Sequence, residues 1–440
     1  MFSRNDLLKL MLPLIVEQIL AVLVGMVDVV MVASVGEAAV SGVSLVDSIN
    51  ILLIQLLAAM ATGGAVVAAQ YLGNRNEESA CMAANQLLLF NSVFSTAIMV
   101  VVLILNKSLL RLIFGSIDDD VMRNAEVYFQ ITAISYPFLA IYNSCAALYR
   151  SMGNSKISMY TSLIMNGINI VGNAICVYGL KMGVEGVAYP TLLSRAVAAV
   201  IILYLVRNPE NRIHVDSRLR LGFHPHMIKR ILKIGIPNGL ENSMFQFGKL
   251  MIQSLVSTLG TSAIAAFAVA SNIVTIEYLP GNALGLGLIT IVGQCVGAGE
   301  FEQAKKYTKK IIAVNYLILL FVATGLALLS APVVGIYNLS PEAAEIAISM
   351  IVIHSVAMAI WPTSFTLPNA LRAASDVKFT MTVSVLSMWA FRIGFSYLLI
   401  LGFHMNIMGV WIAMFVDWLF RDFCFIIRFA KGKWSKHLSI

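Results

Sequence analysis

Leu8-Lys9-Leu10-Met11-Leu12-Pro13 returns 224 residues later (232 − 8) as Leu232-Lys233-Ile234-Gly235-Ile236-Pro237. The same offset carries Glu17 to Glu241, Gly36 to Gly260, Gly63 to Gly287, Gln70 to Gln294, Gly73 to Gly297 and Ala80 to Ala304. Further on, Arg150, Asn154 and Lys156 match Arg372, Asp376 and Lys378 at an offset of 222, and Gly186-Val187 matches Gly409-Val410 at 223. An offset this constant over most of the chain is the mark of a tandem duplication.

Between these landmarks the chain is apolar. Of 440 residues, 59% are hydrophobic and 12% charged, where soluble proteins carry about 25% charged residues. Twelve apolar segments follow one another, at roughly 8–34, 46–70, 84–106, 127–150, 157–180 and 185–206, then 232–258, 265–296, 310–338, 346–371, 379–403 and 407–429. Most exceed the roughly 18 residues that read as a spanning helix. The expected fold is an all-α membrane protein with twelve transmembrane helices in two six-helix lobes. An even number of spans per repeat gives both lobes one orientation, related by a pseudo-two-fold axis along the membrane normal. The expected divisions are an N-lobe at 1–206, a linker at 207–231 and a C-lobe at 232–440.

Charge sets the expected topology. With the N-terminus inside, the cytoplasmic loops receive Arg75, Arg150, Lys156, the linker's Arg207, Arg212, Arg218, Arg220, Lys229 and Arg230, and Lys305, Lys306, Lys309 and Lys310. The outer loops receive Lys107, Arg111, Arg123 and Lys181. This is the positive-inside pattern, so the net charge of +7 reads as membrane anchoring and not as a nucleic-acid surface. The expected location is the plasma or inner membrane, multi-pass, with both termini cytoplasmic. Asp118-Asp119-Asp120 reads as a solvated outer loop. The first segment, with Glu17 and Asp28 inside it, is too long and too polar for a cleaved signal. The five cysteines show no CxxC spacing and read as small core residues.

Ionisable groups inside spans are costly, so each needs a reason. The candidates are Glu17, Asp28, Arg195, Glu241, Lys249, Glu277, Arg392 and Asp417. Asp28 lies well within the first span and suits exchange of H⁺ or Na⁺; the alternative is a helix–helix hydrogen bond. Asn169 and Asn173 share a helix face. With Asn143 and Thr191 they form a candidate polar nest around Asp28, or ordinary interhelical polar contacts. Glu17 and Glu241 each follow a proline by four residues and read as a negative cleft floor or as kink-stabilising groups. Lys249 reads as a neutraliser of a carboxylate, Arg392 and Asp417 as a buried structural pair. Glu277 precedes Leu279-Pro280-Gly281, which reads as a helix break near the outer face.

No P-loop, HExxH or GxSxG appears, so neither ATP drive nor an enzyme is expected. The chain resembles the multidrug and toxic compound extrusion (MATE) transporters. The resemblance rests on Leu12-Pro13 with Val27-Asp28, on Ala69-Gln70-Tyr71-Leu72-Gly73, and on Leu148-Tyr149-Arg150-Ser151-Met152-Gly153-Asn154-Ser155-Lys156. In the second half it rests on Gly235-Ile236-Pro237, Gly293-Gln294, Leu371-Arg372-Ala373-Ala374-Ser375-Asp376 and Gly409-Val410-Trp411. It implies a cation-coupled antiporter, driven by H⁺ or Na⁺ and without other cofactors. Such a carrier exports cationic, aromatic drugs by rocker-switch alternating access. It implies a first-lobe cation site at Asp28, Tyr128, Asn143, Asn169, Asn173 and Thr191. The chain departs at Asn173, where members with the fully developed site have a second aspartate. Second-lobe acids match Glu241 and Asp376, the latter also readable as a loop cap. The expected partners are small-molecule drugs and the lipid bilayer, with the chain a monomer. The alternative is a lipid-linked-precursor flippase of the same superfamily, which usually has basic cavity residues.

Overall fold

Lipid offers no partners to backbone N–H and C=O groups, so a chain this apolar has to satisfy them within each segment. Helices are the result throughout. The protein, seen in a computed structural model, is described over residues 2–115, 118–215 and 222–436, and among these no strand forms. Arg218 and Arg220 of the basic linker lie outside the described residues.

The chain divides into two compact units, Phe2–Gly239 and Leu240–Ile440. The first holds α1 (Arg4–Ala33), α2 (Glu37–Gly73), α3 (Glu77–Phe114), α4 (Asp119–Ile134), α5 (Tyr136–Ser151), α6 (Ser155–Ala174) and α7 (Glu185–Val206). A capping box opens α1: Asp6 N–H donates to Ser3 Oγ and Ser3 N–H donates to Asp6 Oδ2. Within this unit α1 packs on α6, α2 on α4 and α5, and α6 on α7. Asp118 caps α4, and Asp119 and Asp120 form its first turn, where the helix dipole favours acids.

α8 (Pro225–Val256) starts in the first unit and ends in the second. The second unit continues with α9 (Thr261–Gly297), α10 (Phe301–Leu328), α11 (Ser330–Gly335), α12 (Pro341–Ala357), α13 (Leu367–Ala373), α14 (Val377–Ser387), α15 (Phe395–Tyr397) and α16 (Met408–Ala430). Wider π-helical turns interrupt it at Pro362–Thr366, Met388–Gly394 and Leu398–Gly402. Leu279-Pro280-Gly281 does not break α9, which runs through Pro280 as one helix.

Among the described residues eight helices are long and apolar enough to cross a membrane, and two bent pairs raise this to ten. The pairs are α4 with α5, bent by 45°, and α12 with Pro362–Ala373, bent by 69°. α8 and α16 complete twelve. At 32 and 23 residues and 1.5 Å per residue they both exceed the roughly 30 Å of hydrocarbon. What sets them apart is charge: Glu241 and Lys249 in α8, and Asp417, Arg421, Asp422 and Arg428 in α16.

The duplication is written in the backbone as well as in the side chains. Residues with positive φ pair across the repeat: Gly36 with Gly260, Arg75 with Gly299, Gly115 with Asn338, Gly153 with Ser375 and Lys181 with His404. Each pair closes the same turn in its own unit. At Gly36 and Gly260, with φ of 135° and 95°, the residue is glycine in both copies, because side chains disfavour that region.

The start of α8 belongs to the first unit because two glycines let it approach α2. A Cβ on Gly63 would stand 2.6 Å from the Ile231 carbonyl oxygen and 2.9 Å from Gly235 N. Linker residues are also tied to α3. Arg212 Nε donates to Glu77 Oε1 (2.9 Å), and the Gln86 amide bonds both Gly222 O and His224 N at 2.9 Å. Gly63→Val is expected to destabilise this unit by about 1–3 kcal/mol through overpacking. A lowered midpoint in a detergent thermal-shift measurement checks it; an unchanged midpoint would mean that the helices separate at no cost.

Candidate functional site

Asp28 sits five residues from the end of α1, and α6 brings two asparagines to it. Asn173 Nδ2 donates to Asp28 Oδ1 at 2.8 Å. The Asn169 amide also meets Asp28: its nitrogen donates to Oδ1 at 2.9 Å, and its oxygen accepts from the Thr191 hydroxyl at 3.0 Å.

A second carboxylate faces the same space. Asp47 of α2 accepts from the Tyr128 hydroxyl (3.2 Å) and from Asn50 Nδ2 (3.3 Å), and Asn50 Oδ1 accepts from Tyr136 (2.6 Å). Asp28, Asp47, Tyr128, Asn173 and Thr191 all line a cavity of about 180 Å³. The Asn173 Oδ1 on its wall is buried and has no hydrogen-bond partner. Arg195 of α7 is held off to one side by donating to Ser135 Oγ at 2.7 Å. Size decides what the cavity can take. Drug-sized ligands need about 300–1,000 Å³, whereas a water occupies about 30 Å³. This space fits an ion with a few waters, and its oxygen-rich wall suits a proton or a hard cation.

Of the six residues that the resemblance assigns to the ion, Asp28, Tyr128, Asn173 and Thr191 line the cavity, and Asn169 joins them by hydrogen bonds. Asn143 of α5 does not line it, and its amide nitrogen is buried without a partner. Sequence reasoning missed Asp47. The second span was expected from residue 46, which left Asp47 at its margin, but α2 starts at Glu37, about two and a half turns earlier. The i, i+3 spacing of Asp47 and Asn50 was the available signal.

The other acidic candidates hold arginines. Glu17 of α1 lies 3.8 Å from Arg150 Nη1 and accepts from Ser158 Oγ at 2.9 Å. Its repeat mate Glu241 lies 2.6 Å from Arg372 Nη2, so both halves of the ion pair are duplicated. Asp376 stands at the N-cap of α14, but its carboxylate gives no cap bond and instead takes Arg428 through two bonds of 2.7 and 3.0 Å. Glu277 is fully buried, not interfacial: His354 Nδ1 lies 2.5 Å away and Ser355 donates to its other oxygen. Asp417 takes Arg421 Nε at 2.9 Å and the Ser387 hydroxyl, with Arg392 at 3.8 Å. Lys249 makes no ion pair among the described residues.

Removing one partner from a buried pair strands the other charge and costs about 3–5 kcal/mol. Arg372→Gln is therefore expected to lower the unfolding midpoint sharply, and Glu241→Gln added to it should restore most of the loss. Thermal unfolding of the two variants decides; equal damage in both would show that Arg372 contributes more than neutralisation of Glu241.

The second unit encloses a larger cavity, about 460 Å³, within the drug-sized range. Tyr278, Trp361 and Phe365 stack in series, with centroids 5.9 and 5.1 Å apart and planes within 10° and 20°. Trp418 meets Phe365 edge-on at 5.7 Å. Gly281 makes room for this wall, since a Cβ there would stand 2.3 Å from the Trp361 ring. Lys249 from α8 and Arg392 from the π-helical turn Met388–Gly394 reach the cavity, and His354 lines it too. The ionisable lining of this cavity is thus basic, where the cationic-drug expectation rested on acids.

Two helical units that repeat one another, each built of helices long and apolar enough to cross a membrane and each with its own cavity, define a multi-pass membrane transporter. The profile of the MatE family matches residues 13–175 and 237–398, once in each repeat. The chain belongs to the MatE family, whose members are transport proteins. A relative described as a probable multidrug resistance protein NorM, from Thermotoga maritima, is 26% identical, with 98% of this chain and 93% of the relative aligned. A solved outward-facing MATE family transporter of the MOP superfamily superposes with a TM-score of 0.90 at 20% identity, over 97% of this chain and 94% of that one. A MOP superfamily transporter from Pyrococcus furiosus, described as having a binding pocket of reverse polarity, superposes with a TM-score of 0.89 at 21% identity over 97% and 94%. The twelve-helix, two-lobe layout fits the fold of these structures.

Proposed function

We propose that this chain is a cation-coupled antiporter that exports aromatic small molecules by alternating access. One observation carries the reading: the two cavities differ in size and chemistry. The first unit has a 180 Å³ space lined by two carboxylates, and the second a 460 Å³ space lined by aromatic rings. An ion and an organic substrate then have separate sites, one in each unit. H⁺ or Na⁺ is the coupling ion, and no other cofactor takes part. In this reading the ion binds Asp28 and Asp47, with the Asn169 and Asn173 amides beside it. A ligand shifts a conformational equilibrium only by its differential affinity for the two states, and the carboxylates give a cation such a difference. The name of the Thermotoga maritima relative supports drug export. The chain works as a monomer in the plasma or inner membrane, with cytoplasmic termini, as its basic loops indicate.

The test is dye or drug efflux from proteoliposomes under separately imposed H⁺ and Na⁺ gradients. Accumulation that follows one gradient supports the reading; transport indifferent to both would sink it. The second reading, a lipid-linked-precursor flippase, is favoured by the basic lining of the larger cavity. A tightly held isoprenoid lipid in the purified protein would decide for it.

A further inference from the structure

The 460 Å³ cavity carries two cations and no carboxylate. Lys249 and Arg392 line it, and no Asp or Glu does. The nearest acids are out of reach. Glu277 and Asp417 are each 0% exposed, the first bonded to His354 and Ser355, the second to Arg421 and Ser387. Asp417 stands between two guanidiniums, so it balances only one of them. Lys249 is accessible and unpaired among the described residues.

The two rings nearest the basic groups, Phe245 and Phe365, already hold cations. Phe245 already has Lys249 Nζ at 5.3 Å, Arg392 Cζ at 5.4 Å and Arg421 Cζ at 5.4 Å from its centroid, and Phe365 has Arg421 at 5.2 Å. Within about 6 Å a cation gains from a ring's quadrupole, and here the protein's own cations take that gain. An added organic cation would meet like charge in a poorly screened site. An anion would meet two donors and a wall of rings.

We propose that this cavity binds an amphipathic organic anion: a planar aromatic body against the Tyr278–Trp361–Phe365 stack, with one carboxylate, sulfonate or phosphate group held by Lys249 and Arg392. Arg392 offers a planar fork for a trigonal anionic group, and Lys249, near the same Phe245 ring, supplies a mobile point charge. This deepens the export reading, on which it rests for what the bound molecule is for.

The experiment is a binding titration with no gradient, using the full chain in nanodiscs of neutral lipid and reading tryptophan fluorescence. The probes are 1-naphthalenesulfonate and 1-naphthalenemethylammonium, nearly equal in shape and opposite in charge. The sulfonate is expected to bind at least ~10-fold more tightly than the ammonium. Lys249→Gln, which breaks no ion pair, should weaken the sulfonate by about 5–10-fold, and Lys249→Glu should reverse the preference. Arg392→Gln provides a second, independent loss. Equal or tighter binding of the ammonium by the wild type would overturn the proposal, as would a sulfonate affinity unmoved by Lys249→Gln in folded protein. Displacement of the sulfonate by phosphatidic acid at lower concentration than by a second aromatic sulfonate would give the cavity to a lipid phosphate and overturn the aromatic assignment. Because binding is read without transport, a protein that binds the sulfonate but moves nothing under either gradient fails the export reading alone. Gradient-driven export of aromatic cations only would fail the anion assignment alone.

Discussion

Asp28→Asn is expected to abolish accumulation against a gradient while leaving substrate binding in the second unit intact. Asparagine has the shape of aspartate and can still accept from Asn173, whose amide now sits 2.8 Å from Asp28 Oδ1. What it cannot do is change charge. A shift between states from 1:99 to 99:1 needs about 5.5 kcal/mol of differential binding. A neutral side chain at position 28 gives a cation almost none of that, and Asp47 of the same cavity, already held by the Tyr128 hydroxyl and the Asn50 amide, does not replace it. Asp47→Asn is expected to reduce accumulation less, because the Asp28 carboxylate remains to take the ion. Both variants belong in proteoliposomes beside the wild type, with efflux under an imposed gradient and naphthalenesulfonate binding measured on the same preparations. Wild-type accumulation by Asp28→Asn would place coupling elsewhere. Equal loss in both variants would mean that the two carboxylates act as one site.

The repeat was legible because it recurs in fixed frames, and the turn residues with positive φ follow those frames. Asp28, Asn173 and Thr191 were legible because a polar group in an apolar run stands out. Asp47 was not, because the apolar run starts at 46 and α2 begins about two and a half turns before that. The arginines that hold Glu17 and Glu241 are 133 and 131 residues away (150 − 17 and 372 − 241), beyond any helical spacing rule. Yet Glu17 with Arg150, and Glu241 with Arg372, were both seen to duplicate. Opposite charges that duplicate together were the readable sign of a pair. The aromatic wall had no such sign. Which way Trp361, Phe365 and Arg392 point depends on helix phase, and π-helical turns at Pro362–Thr366 and Met388–Gly394 each shift that phase by an inserted residue.

Asp417→Asn is expected to be the most damaging substitution for the stability of the second unit. Asp417 is 0% exposed and takes Arg421 Nε at 2.9 Å, with Arg392 Nη1 at 3.8 Å. Arg421 is itself 2% exposed, so it cannot turn to water when its counter-ion goes. Stranding a buried charge costs about 3–5 kcal/mol, a large part of the about 5–15 kcal/mol that holds a typical domain together. The amide keeps a carbonyl for Ser387 and loses the charge that two guanidiniums share. Poor membrane yield and a strongly lowered thermal midpoint are the expected results. Arg421→Met added to Asp417→Leu removes the closer pair together and should recover part of the midpoint, since a buried pair is often replaceable by apolar side chains; the rest is the cost of leaving Arg392 without Asp417. Lys249 and the Arg392 charge are both kept in that double variant, so binding of naphthalenesulfonate should persist. A wild-type midpoint in Asp417→Asn, with transport lost, would make Asp417 a coupling group in the second unit instead of a counter-ion that fixes Arg421 and steadies Arg392.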